Sequence, residues 1–417
     1  MITDKKHIKC GLIGEKLGHS FSPQIHKELA DYSYTLFEMP EHEVGIFLNS
    51  NAFDSTNVTI PYKKTVMPYL DVISDEALRI GSVNTITRLP DGGLKGDNTD
   101  YYGFWYTVEK SGIRIAGKNV LILGTGGASL TARTVSADMG AKSITFVSRS
   151  GEINYENVYD LCADTEIIIN CTPVGMYPQN GISPVDLKCF SRCKGVIDMI
   201  YNPAKTKLLL DAERLGIPYS NGLSMLVAQA KRACELFLNE SIDDSEIERI
   251  TSKIEQETHN IILVGMPGCG KTTIGRFLSE MTGRDILDTD EMITASQGKA
   301  PSQIITEDGV ESFRQIEHIE VCNAGKTSGR IISTGGGVVT RNENRDPLRQ
   351  NGKIIFINRD LKALDTFDRP LSQRQTLSEM YAERLPMYQS FCDFEVSNST
   401  SPEDCAKEIL EKLRKEY

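Results

Sequence analysis

No stretch of this sequence is apolar for long enough to cross a bilayer, which takes about 20 residues. The opening Met1-Ile2-Thr3-Asp4-Lys5-Lys6 lacks the apolar core of a secretory signal. Neither a membrane-spanning nor an exported protein is therefore expected, and a cytoplasmic location is. The ten cysteines are scattered, without Cys-x-x-Cys pairs or histidine ligands beside them. Reduced thiols are expected rather than disulfides or structural zinc. No long basic patch interrupts a formal net charge of −11, which argues against a nucleic-acid partner. Small anionic substrates remain open, because local lysines and arginines bind them against an acidic background. What is present, 40% hydrophobic and 25% charged residues, is the composition of a globular enzyme. The 417 residues are too many for one ordinary core, so two or three domains are expected.

The most specific stretch is Gly265-Met266-Pro267-Gly268-Cys269-Gly270-Lys271-Thr272, which fits G-x-x-x-x-G-K-[ST] at every position. Ile261-Ile262-Leu263-Val264 reads as a buried strand before it, and Ile274 to Met281 as the helix after it. Glycines let backbone N–H groups turn inward around phosphates, Lys271 adds a mobile positive charge, and Thr272 can ligate Mg²⁺. This half is expected to bind a nucleoside triphosphate. Beyond it, Ile286-Leu287-Asp288-Thr289-Asp290 reads as a strand ending in two acids. One acid can arrange Mg²⁺ or its waters while the other contacts the phosphoryl acceptor. Phe313-Arg314-Gln315-Ile316-Glu317 lies on a helix, and Ile331-Ile332-Ser333-Thr334 ends at Gly335-Gly336-Gly337, where backbone can approach a ligand closely.

A second nucleotide signal lies upstream. Val120-Leu121-Ile122-Leu123 enters Gly124-Thr125-Gly126-Gly127-Ala128, then a helix to Met139 and a strand from Ser143 to Val147. Strand, glycine turn, helix, strand is the first half of a dinucleotide-binding unit, although Ser129 stands at the last glycine position. The second strand ends in Ser148-Arg149-Ser150. A carboxylate there suits the 2′-hydroxyl of NAD, whereas an arginine and two hydroxyls suit a 2′-phosphate, so NADP is favoured.

The first hundred residues are chemically less decided. Ile8 to Ile13 reads as a strand leading through His19-Ser20-Phe21-Ser22-Pro23 to a helix near Gln24. Asn57-Val58-Thr59-Ile60-Pro61-Tyr62-Lys63 is a strand end in which Pro61 suits a helix start. Asn84-Thr85 and Asn98-Thr99-Asp100 offer hydrogen bonds to a small hydroxylated molecule, and equally are ordinary turn residues. Leu223 to Leu238 reads as a long amphipathic helix with polar Gln229 in an apolar-rich portion.

Taken together, these segments make residues 1–240 resemble a shikimate dehydrogenase. Asn170-Cys171-Thr172-Pro173-Val174-Gly175-Met176, Asp198-Met199-Ile200-Tyr201-Asn202-Pro203 and Gly222 through Ala230 match its later blocks. The resemblance implies that Ser20, Ser22, Thr59, Lys63, Asn84, Asp100, Tyr201 and Gln229 form the substrate site. Lys63 and Asp100 would be its proton-transfer pair, with hydride passing between NADPH and the C3 carbonyl of 3-dehydroshikimate. An opposite charge favours the ammonium form of lysine, so orientation is the natural task of Asp100. Gly124, Gly126, Gly127, Ala128, Ser148, Arg149, Ser150 and Met225 would hold NADP(H). The chain departs from the family pattern at Thr125 and Ser148. It is short between Arg149 and Asn170 and lacks a second phosphate-clamping arginine there.

Residues 260–417 resemble shikimate kinase. The match joins the phosphate loop, Asp288-Thr289-Asp290, Phe313-Arg314 with Glu317, the triple glycine, Asp368-Arg369-Pro370-Leu371, and Arg384 with Tyr388. It implies that Asp290, Arg314, Gly336, Gly337 and Arg384 hold shikimate. Gly268, Gly270, Lys271, Thr272 and Thr273 would surround the ATP phosphates, with Mg²⁺ on Thr272, while Arg369 would reach the transferring phosphate from a lid. Asp290 would orient or deprotonate the acceptor hydroxyl.

The expected architecture is α/β throughout. A substrate domain over 1–100, completed by the helix 223–238, precedes a Rossmann-like NADP domain over 101–222. An acidic, solvated helical linker over 239–259 leads to a P-loop NTPase-type kinase domain with a parallel sheet over 260–417. The implied activity is reduction of 3-dehydroshikimate followed by phosphorylation of shikimate. The altered cofactor region leaves open a dehydrogenase acting mainly on quinate. A shikimate-binding sensor or scaffold with one inactive site is the reading from a different class.

Overall fold

The computed structural model describes residues 8–18, 20–364 and 376–416. The chain divides into two compact units, the first built from Met1–Val174, Ile182–Tyr201 and Asp211–Thr251, and the second from Gly175–Gly181, Asn202–Leu210 and Ser252–Tyr417. Two short pieces from before the acidic junction therefore belong to the second unit. Among the described residues, no helix is long and apolar enough to cross a membrane.

The first unit holds two sheets. Strands β1 (Lys9–Gly14), β2 (Ser33–Glu38), β3 (Ser55–Val58), β4 (Val72–Ile73), β5 (Thr85–Arg88) and β6 (Leu94–Asp97) form a mixed sheet in the order β2-β1-β3-β5-β6-β4. β1 is parallel to β2 and β3, while β5 runs antiparallel to β3 and β6. Ile13, Val44, Leu48, Phe53, Val58 and Ile86 belong to one core cluster against it. Strands β7 (Asn119–Leu123), β8 (Ser143–Val147), β9 (Ile167–Asn170), β10 (Gly195–Asp198) and β11 (Tyr219–Ser220) form a parallel sheet in the order β11-β10-β9-β7-β8. Their near-continuous apolar runs suit strands covered on both faces by helices. The helix Leu223–Leu238 packs closely on Asp100–Ser111, where Gly103 leaves room for the Met225 carbonyl and Gln229.

In the second unit, β12 (Asn260–Val264), β13 (Ile286–Asp288), β14 (Ile331–Ser333), β15 (Gly352–Asn358) and β16 (Phe394–Ser397) form a parallel sheet in the order β13-β14-β12-β15-β16. The phosphate loop leaves the carboxyl end of the central strand β12, and the helix after it runs Lys271–Thr282. It starts three residues earlier than the apolar run Ile274 to Met281 suggests, because the loop closes directly onto the helix at Gly270.

Three expectations require correction. Pro61 opens no helix: residues 60–66 are turns, and the Lys63 carbonyl accepts from Val83 N (2.8 Å) across the fold rather than from a helical neighbour. Thr289 and Asp290 do not end a strand. They open the helix Thr289–Gln297, whose N-cap Asp288 accepts from Asp290 N. The acidic junction is not simply solvated. It contains the helix Ser245–Thr258, whose isoleucines at three- and four-residue spacing, Ile247, Ile250 and Ile254, are at most 2% exposed.

Candidate active sites

In the first unit, the carboxyl ends of β1 and β3 and the helices starting at Asp100 and Leu223 line a cavity of about 530 Å³. Ser20, Ser22, Thr59, Lys63, Asn84, Asp100, Tyr201 and Gln229, all named from the sequence, line it, as do Ala128 and Met225. Lys63 Nζ donates to Asp100 Oδ2 at 2.6 Å. Asp100 is the first residue of its helix, and its own N–H donates to Asn98 Oδ1 (3.1 Å), which holds the turn before it. Asn84 Oδ1 accepts from Thr99 N at 2.7 Å, and Thr99 Oγ1 donates to Gln229 Oε1 at 3.4 Å. Asn57, outside the set named as site residues, also lines the cavity. Its Nδ2 reaches Thr85 Oγ1 (3.2 Å) and its Oδ1 accepts from the Tyr34 hydroxyl (2.8 Å). Its place in the matched segment before Lys63 was the signal available.

The glycine turn sits where parallel β7 ends beside β8. Gly124, at φ +99°, adopts a backbone that side-chain-bearing residues avoid, and its N–H donates to Val147 O (2.8 Å). Gly126 caps the helix Gly127–Asp138. A β-carbon on either Gly126 or Gly127 would meet nothing within 4 Å, so this helix start is open to a ligand. Ser129 fills the last glycine position by turning its hydroxyl back onto the Gly126 carbonyl (2.5 Å). Ser148, Arg149 and Ser150 follow the end of β8, in a turn closed by Ser148 N donating to Ile153 O (3.2 Å).

The second unit carries a cavity of about 610 Å³. Gly268, Gly270, Lys271, Thr272, Thr273, Asp290, Arg314, Gly336, Gly337 and Arg384 all line it. Arg369 lies outside the described residues. Lys271 Nζ donates to the Gly265 and Met266 carbonyls at 2.8 and 3.1 Å, so its ammonium is held on the loop itself. Thr272 Oγ1 donates to Asp288 Oδ2 at 3.2 Å. Arg314 Nη1 donates to Glu317 Oε2 at 2.6 Å, one helical turn along. A β-carbon on Gly337 would fall 1.8 Å from an Arg314 nitrogen, so only glycine leaves this guanidinium its place. Arg384 Nη1 donates to the Gly336 carbonyl at 3.1 Å.

Burial, with the Asp288 and Glu317 carboxylates nearby, pushes Asp290 up to about 6 against the pull of Lys271 and Arg314. Burial also raises Glu317, outweighing Arg314. Asp290 Oδ1 and Glu317 Oε1 are both buried without a hydrogen-bond partner. Arg359 is a cavity residue that reading the sequence did not assign: its Nη1 reaches the Gly268 carbonyl (3.4 Å). It stands just past β15, with no motif around it to mark it.

The sequence profile described as shikimate dehydrogenase substrate binding domain matches residues 12–86, and that described as shikimate kinase matches 267–414. The chain is 39% identical over 267 residues to the shikimate dehydrogenase (NADP(+)) of Clostridium beijerinckii, covering 59% of this chain and 98% of that protein. A chorismate mutase/shikimate 5-dehydrogenase fusion protein from Clostridium acetobutylicum is similar in structure, with a TM-score of 0.57, 38% identity, and coverage of 59% of this chain and 97% of that one. The shikimate 5-dehydrogenase of Listeria monocytogenes, solved with shikimate and NAD, gives a TM-score of 0.54 at 29% identity, covering 60% and 99%. The chain is thus an enzyme that belongs to the shikimate dehydrogenase family and carries, behind that part, a catalytic domain of the shikimate kinase family.

Proposed function

We propose that the first cavity reduces 3-dehydroshikimate to shikimate with NADPH and that the second transfers the γ-phosphate of ATP to the shikimate 3-hydroxyl. The observation that carries this reading is the pairing, in one chain, of a cavity lined by hydroxyl and amide side chains around Lys63–Asp100 with a phosphate-loop cavity around Asp290. The product of the first reaction is the substrate of the second.

In the first cavity, Ser20, Ser22, Thr59, Asn84 and Gln229 present hydroxyls and amides suited to the carboxylate and hydroxyls of the substrate. Lys63 delivers the proton to the C3 oxygen, and Asp100 holds its ammonium in line. The open helix start at Gly126–Gly127 and the cation Arg149 at the end of β8 fit the pyrophosphate and 2′-phosphate of NADP(H). That cofactor, when bound, supplies the hydride.

In the second cavity, Lys271 exchanges its loop carbonyls for phosphate oxygens, and Arg314 and Arg384 hold the shikimate carboxylate. Asp290, raised towards neutrality yet ionised at pH 7, is basic enough to take the proton of the attacking hydroxyl. Thr272 would hold Mg²⁺, with Asp288 ordering its waters. No cluster of three or more His, Cys, Asp or Glu suited to a metal occurs among the described residues. Mg²⁺ does not need one, since it keeps several waters and binds through few protein groups plus substrate phosphates. Bound there, Mg²⁺ neutralises charge on the transferring phosphate.

Four assays on the purified chain test the reading: dehydroshikimate with NADPH, shikimate with NADP, shikimate with NAD, and shikimate with ATP. Turnover is expected in all four, with NADP preferred modestly over NAD. Silence of either half, or turnover of quinate but not shikimate when quinate replaces shikimate in the second assay, would overturn it.

A further inference from the structure

The helix Val310–Gly325, which lends Phe313, Arg314 and Glu317 to the second cavity, also carries a constellation whose members line neither cavity. His318 Nδ1 lies 2.7 Å from Asn344 Oδ1. Asn344 Nδ2 is already donating to the Val338 carbonyl at 2.8 Å, so Oδ1 is an acceptor and the imidazole proton sits on Nδ1. The other ring nitrogen, Nε2, keeps its lone pair and faces Cys322 Sγ at 3.6 Å. Asn344 is fully buried, which fixes the ring, while Cys322 is only half-buried and keeps a path to solvent. A nucleophile, a base and a group orienting that base thus stand in order. No histidine stands next to a cysteine in the linear sequence. His318 and Cys322 are in fact one turn apart on the same helix face, and their partner Asn344 is 26 residues from the histidine.

We propose that Cys322 is a modification site, a thiol activated by His318 under the orientation of Asn344, that takes low-molecular-weight disulfides. As Cys322 Sγ attacks one sulfur of the disulfide, its proton passes to His318 Nε2. The new S–S bond forms as the old one breaks, and the departing thiolate takes the proton from the imidazolium. The products are a mixed disulfide on Cys322 and one free small thiol, so no further oxidant is required. Burial raises the Cys322 thiol and the charge of Lys326 opposes it, so the sulfur rests protonated and depends on the adjacent base. Lys326 also favours an anionic partner such as oxidised glutathione.

The same bonds give the adduct a consequence. Asn344 ties His318 to Val338, whose N–H donates to the Gly335 carbonyl at 3.2 Å, at the start of the triple glycine. An adduct that displaces the imidazole loosens this segment and raises the KM for shikimate in phosphoryl transfer. The consequence rests on the proposed kinase function, whereas the labelling does not.

Cys193 and Cys392 provide internal comparison, because both are half-buried and their sulfurs donate to the backbone carbonyls of Gly195 and Gln389 instead. The intact chain is incubated with oxidised glutathione and, separately, with iodoacetamide, and labelling is followed residue by residue by mass spectrometry. Cys322 is expected to react roughly tenfold or more faster than Cys193 and Cys392, in keeping with base-assisted attack. His318→Gln should bring it down to their rate while exposed Cys189 is unchanged. Equal rates for Cys322, Cys193 and Cys392 in the unaltered chain overturn the proposal, and this comparison decides alone if His318→Gln does not fold. Cys322→Ser should retain kinase activity and lose its sensitivity to oxidised glutathione. Fast labelling with an unchanged kinase KM would overturn the consequence and leave the site standing.

Discussion

Arg149 is the one cation in the Ser148-Arg149-Ser150 turn after β8, so under the proposed NADP(H) binding it is the residue of that turn that can meet a 2′-phosphate. Arg149→Ala is expected to raise the KM for NADPH more than that for NADH, by roughly tenfold for loss of one charge-assisted contact. Equal changes in the two constants would remove the contact from the mechanism. His26 illustrates a different residue-level effect. Its ring is buried, stacks on Tyr34 at 4.1 Å, and places Nδ1 2.6 Å from the Tyr32 hydroxyl. Burial lowers its pKa to about 3. An unfolded histidine takes a proton near pH 6.5, so below that pH the unfolded chain binds a proton that the folded chain refuses. The stabilising effect is complete above about pH 6.5 and is lost as pH falls towards 3, at up to about 1.4 kcal/mol per pH unit. Urea midpoints of the dehydrogenase part at pH 7 and pH 5 should fall less in His26→Phe than in the parent chain. Parallel falls would show that His26 does not titrate in this way.

At the scale of elements, the acidic junction shows how few apolar residues are needed to place a helix. Its charge is what the sequence displays most plainly, yet Ile247, Ile250 and Ile254 recur at the spacing of one helix face and are buried. Removing one should leave a cavity: Ile250→Ala is expected to destabilise the first unit by about 2–5 kcal/mol, read as a lower urea midpoint of dehydrogenase activity. A change below about 0.5 kcal/mol, the range of surface substitutions, would return this helix to the solvent. Asp290 makes a related point. A run of apolar residues followed by acids reads as a strand to its end, but Asp288 captures the Asp290 N–H and turns the chain into a helix. The carboxylate of Asp290 thereby enters the phosphate-loop cavity from a helix's first turn.

At the scale of the whole molecule, the residues lining each cavity come from one compact unit only. Lys63→Ala should therefore lower dehydrogenase turnover roughly a hundredfold or more and leave phosphorylation of shikimate almost unchanged. Lys271→Ala should do the reverse, removing charge stabilisation at the phosphates. Measuring both rates on both folded variants settles the matter, and a parallel loss of the two activities would contradict it. Much of this organisation was legible in the linear chain. The phosphate loop is a local pattern in which backbone freedom, charge and spacing specify a chemistry. The glycine turn after β7 needs its flanking strands and helix to do so, and the blocks around Lys63, Asp100 and Arg314 are marked as sites by the family resemblance rather than by their own chemistry. Other features had no local signature. The linear order could not reveal that Gly337 makes room for Arg314, that Asp290 Oδ1 and Glu317 Oε1 are left buried without partners, or that Asn344 fixes the tautomer of His318. Each depends on side chains far apart in sequence meeting at a few ångströms. Propensity and periodicity describe neighbours along the chain, whereas burial and long-range hydrogen bonding are decided only when the sheets and helices pack.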